Sequence, residues 1–313
     1  MLAKVFVYLY GSIMRGSGKK KIIIFLTCFI LLIIIIFGVI FRIYSSRPPL
    51  LIVTDSSFET LYGEQRLKRI GSRLSRKLFR RIIPVFVSET AGFDLIAIAV
   101  EDAHESPEAV FFPFRYFDGA RFYNDSHPEI PVYILAGANQ RTREETALPF
   151  IRTDTRADLF RAGLCAALFA GDDRILFLSD GNFTNEQLEA FQEGLRIQGY
   201  LETPLWVNSL AAIPSLDDVG CVIVTSVAPV FLDENSSVPV LLFSWIDHSL
   251  TPSSVKVIFD DSPWTLIPEA FESLPPPGEE IFISSMPVVL KDRIAEKKDF
   301  RKLKNLLKEN FEK

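Results

Sequence analysis

Phe150-Ile151-Arg152-Thr153-Asp154-Thr155-Arg156-Ala157-Asp158-Leu159-Phe160-Arg161-Ala162-Gly163 is the stretch that decides how the chain folds. Its first three residues read as a short buried strand. Asp154 and Thr155 then offer side-chain oxygens that accept hydrogen bonds from the free N–H groups of a helix's first turn. A helix is expected through about residue 170, with Leu159, Gly163, Ala166 and Ala167 as its packing positions. The order then repeats. Residues 174–178 form an apolar run of strand length, Asp180-Gly181-Asn182 turns, and a second helix is expected over 185–198 until Gly199 stops it. Strands that alternate with helices build parallel sheets with helices on their faces.

Upstream, Leu50-Leu51-Ile52-Val53-Thr54 reads as a strand and Asp55-Ser56-Ser57 as a turn. A helix is expected over about 59–81, where Leu67, Ile70, Leu74 and Leu78 recur every three or four positions. Residues 82–87, 94–100, 109–114 and 131–135 are near-continuous apolar runs, the pattern of strands covered on both faces. Downstream, strands are expected at 205–207, 219–224, 238–243 and 255–259, with short helices near 228–234 and 264–273. Pro275-Pro276-Pro277-Gly278 breaks the chain before two extended pieces, 280–284 and 287–290. The organisation expected is a first α/β lobe at 50–148, completed by part of 245–290, and a second at 149–244. A terminal helix over about 292–310, within an amphipathic basic segment 291–313, carries Phe300, Leu303, Leu307 and Phe311 on one face. It reads as docked by that stripe, with adsorption to a membrane surface as the alternative.

Ahead of the lobes, residues 22–41 read IIIFLTCFILLIIIIFGVIF, twenty residues without a charge. As a helix they extend about 30 Å, the thickness of a bilayer's hydrocarbon core. The run is too long for a signal peptide's apolar region, and it continues past Cys28 where a lipid-modified cysteine would end it. The segment is expected to be a transmembrane anchor in the lipid bilayer, with 42–49 as a linker. Five basic residues precede it and two follow closely, so the basic segment 1–21 is expected in the cytoplasm and the bulk outside.

Of 34 basic residues, seven lie in 1–50, which leaves 27 against 39 acidic ones beyond that point, a balance of −12. Phosphate backbones need the opposite sign, so no nucleic-acid partner is expected. His104, His127 and His248 have no ligand spacing, and neither a Gly-x-Ser-x-Gly elbow nor a G-x-G-x-x-G loop occurs. No enzyme, metal or cofactor is expected. Cys165 and Cys221 read as buried thiols, with a disulfide between them the less favoured reading.

The 150–163 stretch resembles the second-lobe opening of the type 1 periplasmic binding protein fold, shared with the effector domains of LacI/GalR-type repressors. Residues 174–180 followed by Asn185-Glu186-Gln187-Leu188-Glu189-Ala190-Phe191-Gln192-Glu193-Gly194-Leu195 resemble that family's next strand, ligand loop and helix. Val238-Pro239-Val240-Leu241-Leu242-Phe243-Ser244-Trp245-Ile246-Asp247 resembles the strand that returns to the first lobe. The resemblance implies an α/β protein of two doubly wound lobes joined by a hinge, here preceded by one transmembrane helix. The 219–224 strand ends in Thr225-Ser226 where sugar binders carry Asn-Asp, and a transmembrane helix stands where repressors carry their DNA-binding segment.

Open α/β sheets bind ligands outside the carboxyl ends of their strands. Those ends make Asp55, Ser56, Glu101, Asp154, Asp180, Asn182, Ser226, Trp245 and Asp247 the expected ligand-binding residues. Asp154 and Asp180 are expected to end adjacent strands of one lobe, with Trp245 near the hinge. The same residue types also cap helices and make turns. The function implied is a membrane-anchored extracytoplasmic protein that closes on a small polar solute, with a membrane permease or an envelope protein as partner. The alternative is a non-catalytic envelope interaction protein with a degenerate cleft.

Overall fold

The computed structural model describes residues 18–56, 58, 60, 75, 77–138, 140, 147–179, 183–207, 216–225, 237–243, 251–260, 263–294 and 297–309. Helix α1 (Gly18–Ser46) holds the apolar run. Its window 29–46 has a mean hydropathy of 2.4 with none of it buried inside the protein, so it is long and apolar enough to cross a membrane.

Strands β1 (Leu50–Asp55) and β2 (Ile82–Val87), helix α2 (Phe93–Ala103), β3 (Ala109–Pro113), helix α3 (Phe117–Ser126), β4 (Val132–Ala136) and β5 (Phe150–Thr153) follow. Next come helix α4 (Thr155–Ala170), β6 (Arg174–Leu178), helix α5 (Asn185–Ile197), β7 (Leu205–Val207), β8 (Val219–Val224), β9 (Val240–Phe243) and β10 (Val255–Asp260). Helix α6 (Pro263–Ala270), β11 (Glu280–Ile283), β12 (Met286–Val289) and helix α7 (Lys297–Glu309) complete the described elements.

Two six-stranded sheets result. The first runs β11-β5-β4-β3-β1-β2, parallel throughout. The second runs β12-β10-β9-β8-β6-β7, with β12 alone antiparallel. The central strands of each sheet are buried on both faces. Around the first, Leu51, Val53 and Ile134 meet α2 and α3 on one side, while Leu50, Ile52 and Phe111 meet Leu266 and Ile267 of α6 on the other. Around the second, Ile175, Phe177 and Ile223 pack on α4, α5 and Leu303 and Leu307 of α7. Near-continuous apolar strands are what a sheet covered on both faces requires.

Among the described elements, the chain passes between the sheets three times: at Asp154, between β10 and α6, and at Ser284-Ser285. These crossings are the hinge. Phe150–Thr153 therefore belongs to the first sheet, where Phe150 pairs with both Ile134 and Glu280. The strand expected to open the second lobe instead closes the first one, and the change of lobe comes at Asp154. Strand β10 lies in the second sheet, so only α6 and β11 return to the first.

Residues 94–100 differ more sharply from expectation, because they form helix α2 and not a strand. A short unbroken apolar run fits either element. Tertiary packing decides here: Ile96, Ala97 and Val100 turn inward at helical spacing, leaving Phe93, Leu95 and Ile98 exposed. Helix α3 had no periodic apolar signal and was not foreseen; it buries Gly119, Ala120 and Tyr123. Cys165 and Cys221 are free buried thiols, and burial pushes both well above the ordinary cysteine range.

Candidate functional site

Because β1 and β3 are adjacent and parallel, their carboxyl ends deliver Asp55 and the turn Phe114–Tyr116 to one place. Asp55 is 3% exposed, yet it is surrounded by donors. Its Oδ1 accepts from the backbone N–H of Phe58 at 2.9 Å. Its Oδ2 accepts from the Tyr116 hydroxyl at 2.7 Å and from Arg115 Nη1 at 2.9 Å. Hydrogen bonds from this many donors offset the cost of burying a carboxylate. Burial, together with the hydrogen bond given to Asp55, pushes the Tyr116 phenol well above the ordinary tyrosine range. The Arg115 side chain reaches outward from the pair and is 45% exposed. Ser56 beside it is exposed, and its carbonyl accepts from the Thr60 hydroxyl at 2.8 Å.

Further along the same edge, Arg152 is buried on β5 and pairs with Glu280 of β11. It donates to the carbonyls of Gly137 and Gln140, so it ties down the turn that follows β4. The Thr153 hydroxyl accepts from the Ala138 N–H at 3.0 Å in that turn. The edge is thus lined by groups whose positions are fixed from beneath.

At the crossings, Asp154 caps α4 by accepting from the Ala157 N–H at 3.0 Å, as expected for the first turn. Its own N–H donates to the Ile283 carbonyl at 2.8 Å, which joins the first and third crossings. One turn into α4, Asp158 and Arg161 are buried together, with Arg161 Nη1 3.5 Å from Asp158 Oδ1. Asp158 accepts from the Ser285 N–H at 3.1 Å. Arg161 donates to the Ser285 carbonyl at 3.1 Å and to the Ser284 hydroxyl at 3.2 Å. Burial pushes the Arg161 guanidinium down, opposed by the carboxylates of Asp158 and Asp154. The third crossing is therefore stapled to the second lobe by a buried charge pair.

Of the residues expected to bind a ligand, Asp55, Ser56 and Asp154 lie along the first sheet's carboxyl edge or at the crossing that leaves it. Glu101 does not. It ends no strand; it lies in the last turn of α2, with its Oε1 3.7 Å from His127 Nε2. His127 closes α3 just ahead of β4, so the pair sits at the opposite, amino edge of the sheet. Asp180, Asn182, Ser226, Trp245 and Asp247 lie outside the described residues. Asp154 and Asp180 do not follow neighbouring strands of one lobe, because β5 is in the first sheet and β6 in the second. Arg115, Tyr116, Arg152, Asp158 and Arg161 were missed. Arg115 and Tyr116 follow the apolar run 109–114 directly, and that run's end carried the same signal as Asp55. Among the described residues, no group of three His, Cys, Asp or Glu is placed to hold a metal ion.

Solved structures with this arrangement include a transcriptional activator of the comK gene from Bacillus halodurans, 9% identical over 83% of this chain and 96% of that one, with a TM-score of 0.52. A solute-binding protein of an ABC transporter system from Conexibacter woesei is 8% identical over 84% and 95% of the two chains, with a TM-score of 0.51. AraP, an arabinose-binding protein from Geobacillus stearothermophilus, is 11% identical over 78% and 96%, also with a TM-score of 0.51. No protein-family model matches the chain, and neither does any curated protein. Identities this low speak for the fold alone: the chain has the type 1 periplasmic binding protein fold, with an apolar helix ahead of it.

Proposed function

We propose that this chain is a membrane-anchored extracytoplasmic protein that captures a small polar solute between its lobes, for transport or for sensing. The observation that carries this reading is the Asp55–Arg115–Tyr116 cluster. It sits outside the carboxyl ends of parallel strands, where open α/β sheets bind their ligands. The three crossings supply a hinge, so lobe closure is the mechanism and no covalent step is involved. Ser56 and Asp154 belong to the site on the first lobe's side; Asp180, Asn182, Ser226, Trp245 and Asp247 are assigned to it by their places in the sequence. Helix α1 is the anchor, with its basic flank in the cytoplasm. A permease or an envelope protein in the same membrane would receive the output.

One observation favours a second reading, an envelope interaction protein whose cleft has lost its ligand. Asp55 is occupied by internal partners, and one oxygen of Asp154 caps a helix. The two readings separate on melting temperature. The full chain, in detergent micelles, is melted against a panel of sugars, sugar acids, nucleosides and amino acids. A solute at a hundred times its Kd stabilises the folded state by about 2.7 kcal/mol, a shift of several degrees. A panel without any shift supports the interaction-protein reading.

A further inference from the structure

We infer that the first lobe's half of the cleft recognises an anionic oxygen group, a carboxylate or phosphate, through Arg115. This rests on the solute-binding reading and names the chemistry it selects. Asp55 and Arg115 form one unit with opposite ends in opposite environments. The carboxylate is buried and already accepts from Phe58 N–H, Tyr116 O–H and Arg115 Nη1. Three donors nearly fill the acceptor sites of a carboxylate, so Asp55 has little left with which to hold a ligand hydroxyl. The guanidinium is the reverse case. It is planar with five N–H donors, and among the described residues Asp55 is its only hydrogen-bond acceptor.

Its plane is also held in place. The Arg115 carbon Cζ lies 5.1 Å from the centroid of the Tyr116 ring, and Tyr116 is itself fixed by its bond to Asp55. A fork of donors held from behind by a buried carboxylate and from the side by an aromatic ring is oriented before any ligand arrives. The unoccupied N–H groups suit the two oxygens of a carboxylate or phosphate, which take paired charge-assisted hydrogen bonds. A neutral polyol would offer this edge only weak acceptors, and Asp55 could not take its hydroxyl protons in return. Glu89, after the carboxyl end of β2, is exposed and close enough for its charge to act on Tyr116. Its negative charge repels an anion bound beside Tyr116.

Matched pairs test this: D-galacturonate against D-galactose, and ribose 5-phosphate against ribose, each followed by melting of the full chain in detergent. At least one acid is expected to raise the melting temperature where its neutral partner does not. Arg115→Gln is expected to weaken that acid roughly tenfold to a hundredfold. Arg115→Lys, which keeps the charge but loses the fork, should fall between the two, and Glu89→Gln should tighten binding. Because Arg115→Gln leaves Asp55 its other donors, its ligand-free melting temperature shows whether the fold is intact; if it is not, Arg115→Lys and Glu89→Gln decide. Neutral sugars that bind wild type and Arg115→Gln alike would overturn the anion proposal and leave solute binding standing. A matched panel in which neither member of any pair shifts the melting temperature counts against both.

Discussion

At the scale of single residues, the charges that matter to stability are the buried ones. Arg161 illustrates why: it is 3% exposed and holds Asp158 and both serines of the third crossing. Arg161→Ala would leave Asp158 as a buried carboxylate without its counter-ion, which typically costs about 3–5 kcal/mol. The expected outcome is a melting temperature lowered by many degrees in a calorimetric scan, with a smaller loss for a double apolar replacement of the two residues. Buried phenols make a second prediction. Burial raises Tyr123 to about 12, and Tyr116 is raised as well. Unfolded tyrosine ionises near 10, so the stability from keeping these protons is intact below about pH 10. It is lost as pH rises through the folded values. Alkaline denaturation followed at the phenolate absorbance band, as the difference between the wild type and the Tyr116→Phe and Tyr123→Phe variants, should show these two of the eight tyrosines ionising together with unfolding, above pH about 10; a difference signal well ahead of unfolding would contradict their burial.

At the scale of elements, the sequence marked Gly163 as a packing position of its helix without naming what packs there. The structure shows the reason for it. A Cβ added at Gly163 would lie 2.3 Å from the Phe191 carbonyl oxygen, and one added at Gly194 would lie 2.1 Å from that of Phe160. The backbones themselves touch, so no side chain can move aside. Gly194→Ala is expected to destabilise the second lobe by about 1–3 kcal/mol or more, measured by urea unfolding at unchanged m-value. Other elements were less legible. Phe93-Asp94-Leu95-Ile96-Ala97-Ile98-Ala99-Val100 is apolar at nearly every position, so its period is hidden and only packing against the first sheet makes it a helix. The strand Phe150–Thr153 was recognised as a strand, but its sheet depends on pairing with β4 and β11, and strand partners far apart in sequence leave no local mark. Asp55 and Asp154 were legible because capping and strand-end positions are local. Their distant partners, Arg115 and Tyr116 at Asp55 and Ile283 at Asp154, are set by topology.

At the scale of the whole molecule, helix α1 and the proposed site lie at opposite edges of the first sheet. Helix α1 ends at Ser46, and its Tyr44 ring packs edge-on against Phe79, 5.5 Å between centroids, while Arg47 lies over the same ring. Arg80 next to it pairs with Glu108, ahead of β3, so this contact sits at the amino edge. The proposed site is at the carboxyl edge, turned away from helix α1. Protease added outside intact spheroplasts should digest the part after residue 49; full protection would contradict the assigned orientation. Closure of the lobes is the central claim, and a distance across the cleft tests it most directly. Spin labels are placed at Ser88, after the carboxyl end of β2 in the first lobe, and at Glu186, in the first turn of α5 in the second. Their distance is measured in the full chain by pulsed dipolar spectroscopy, with and without each solute of the panel. The account predicts that a solute that raises the melting temperature also shortens and narrows this distance distribution; a stabilising solute that leaves it unchanged would contradict capture by lobe closure.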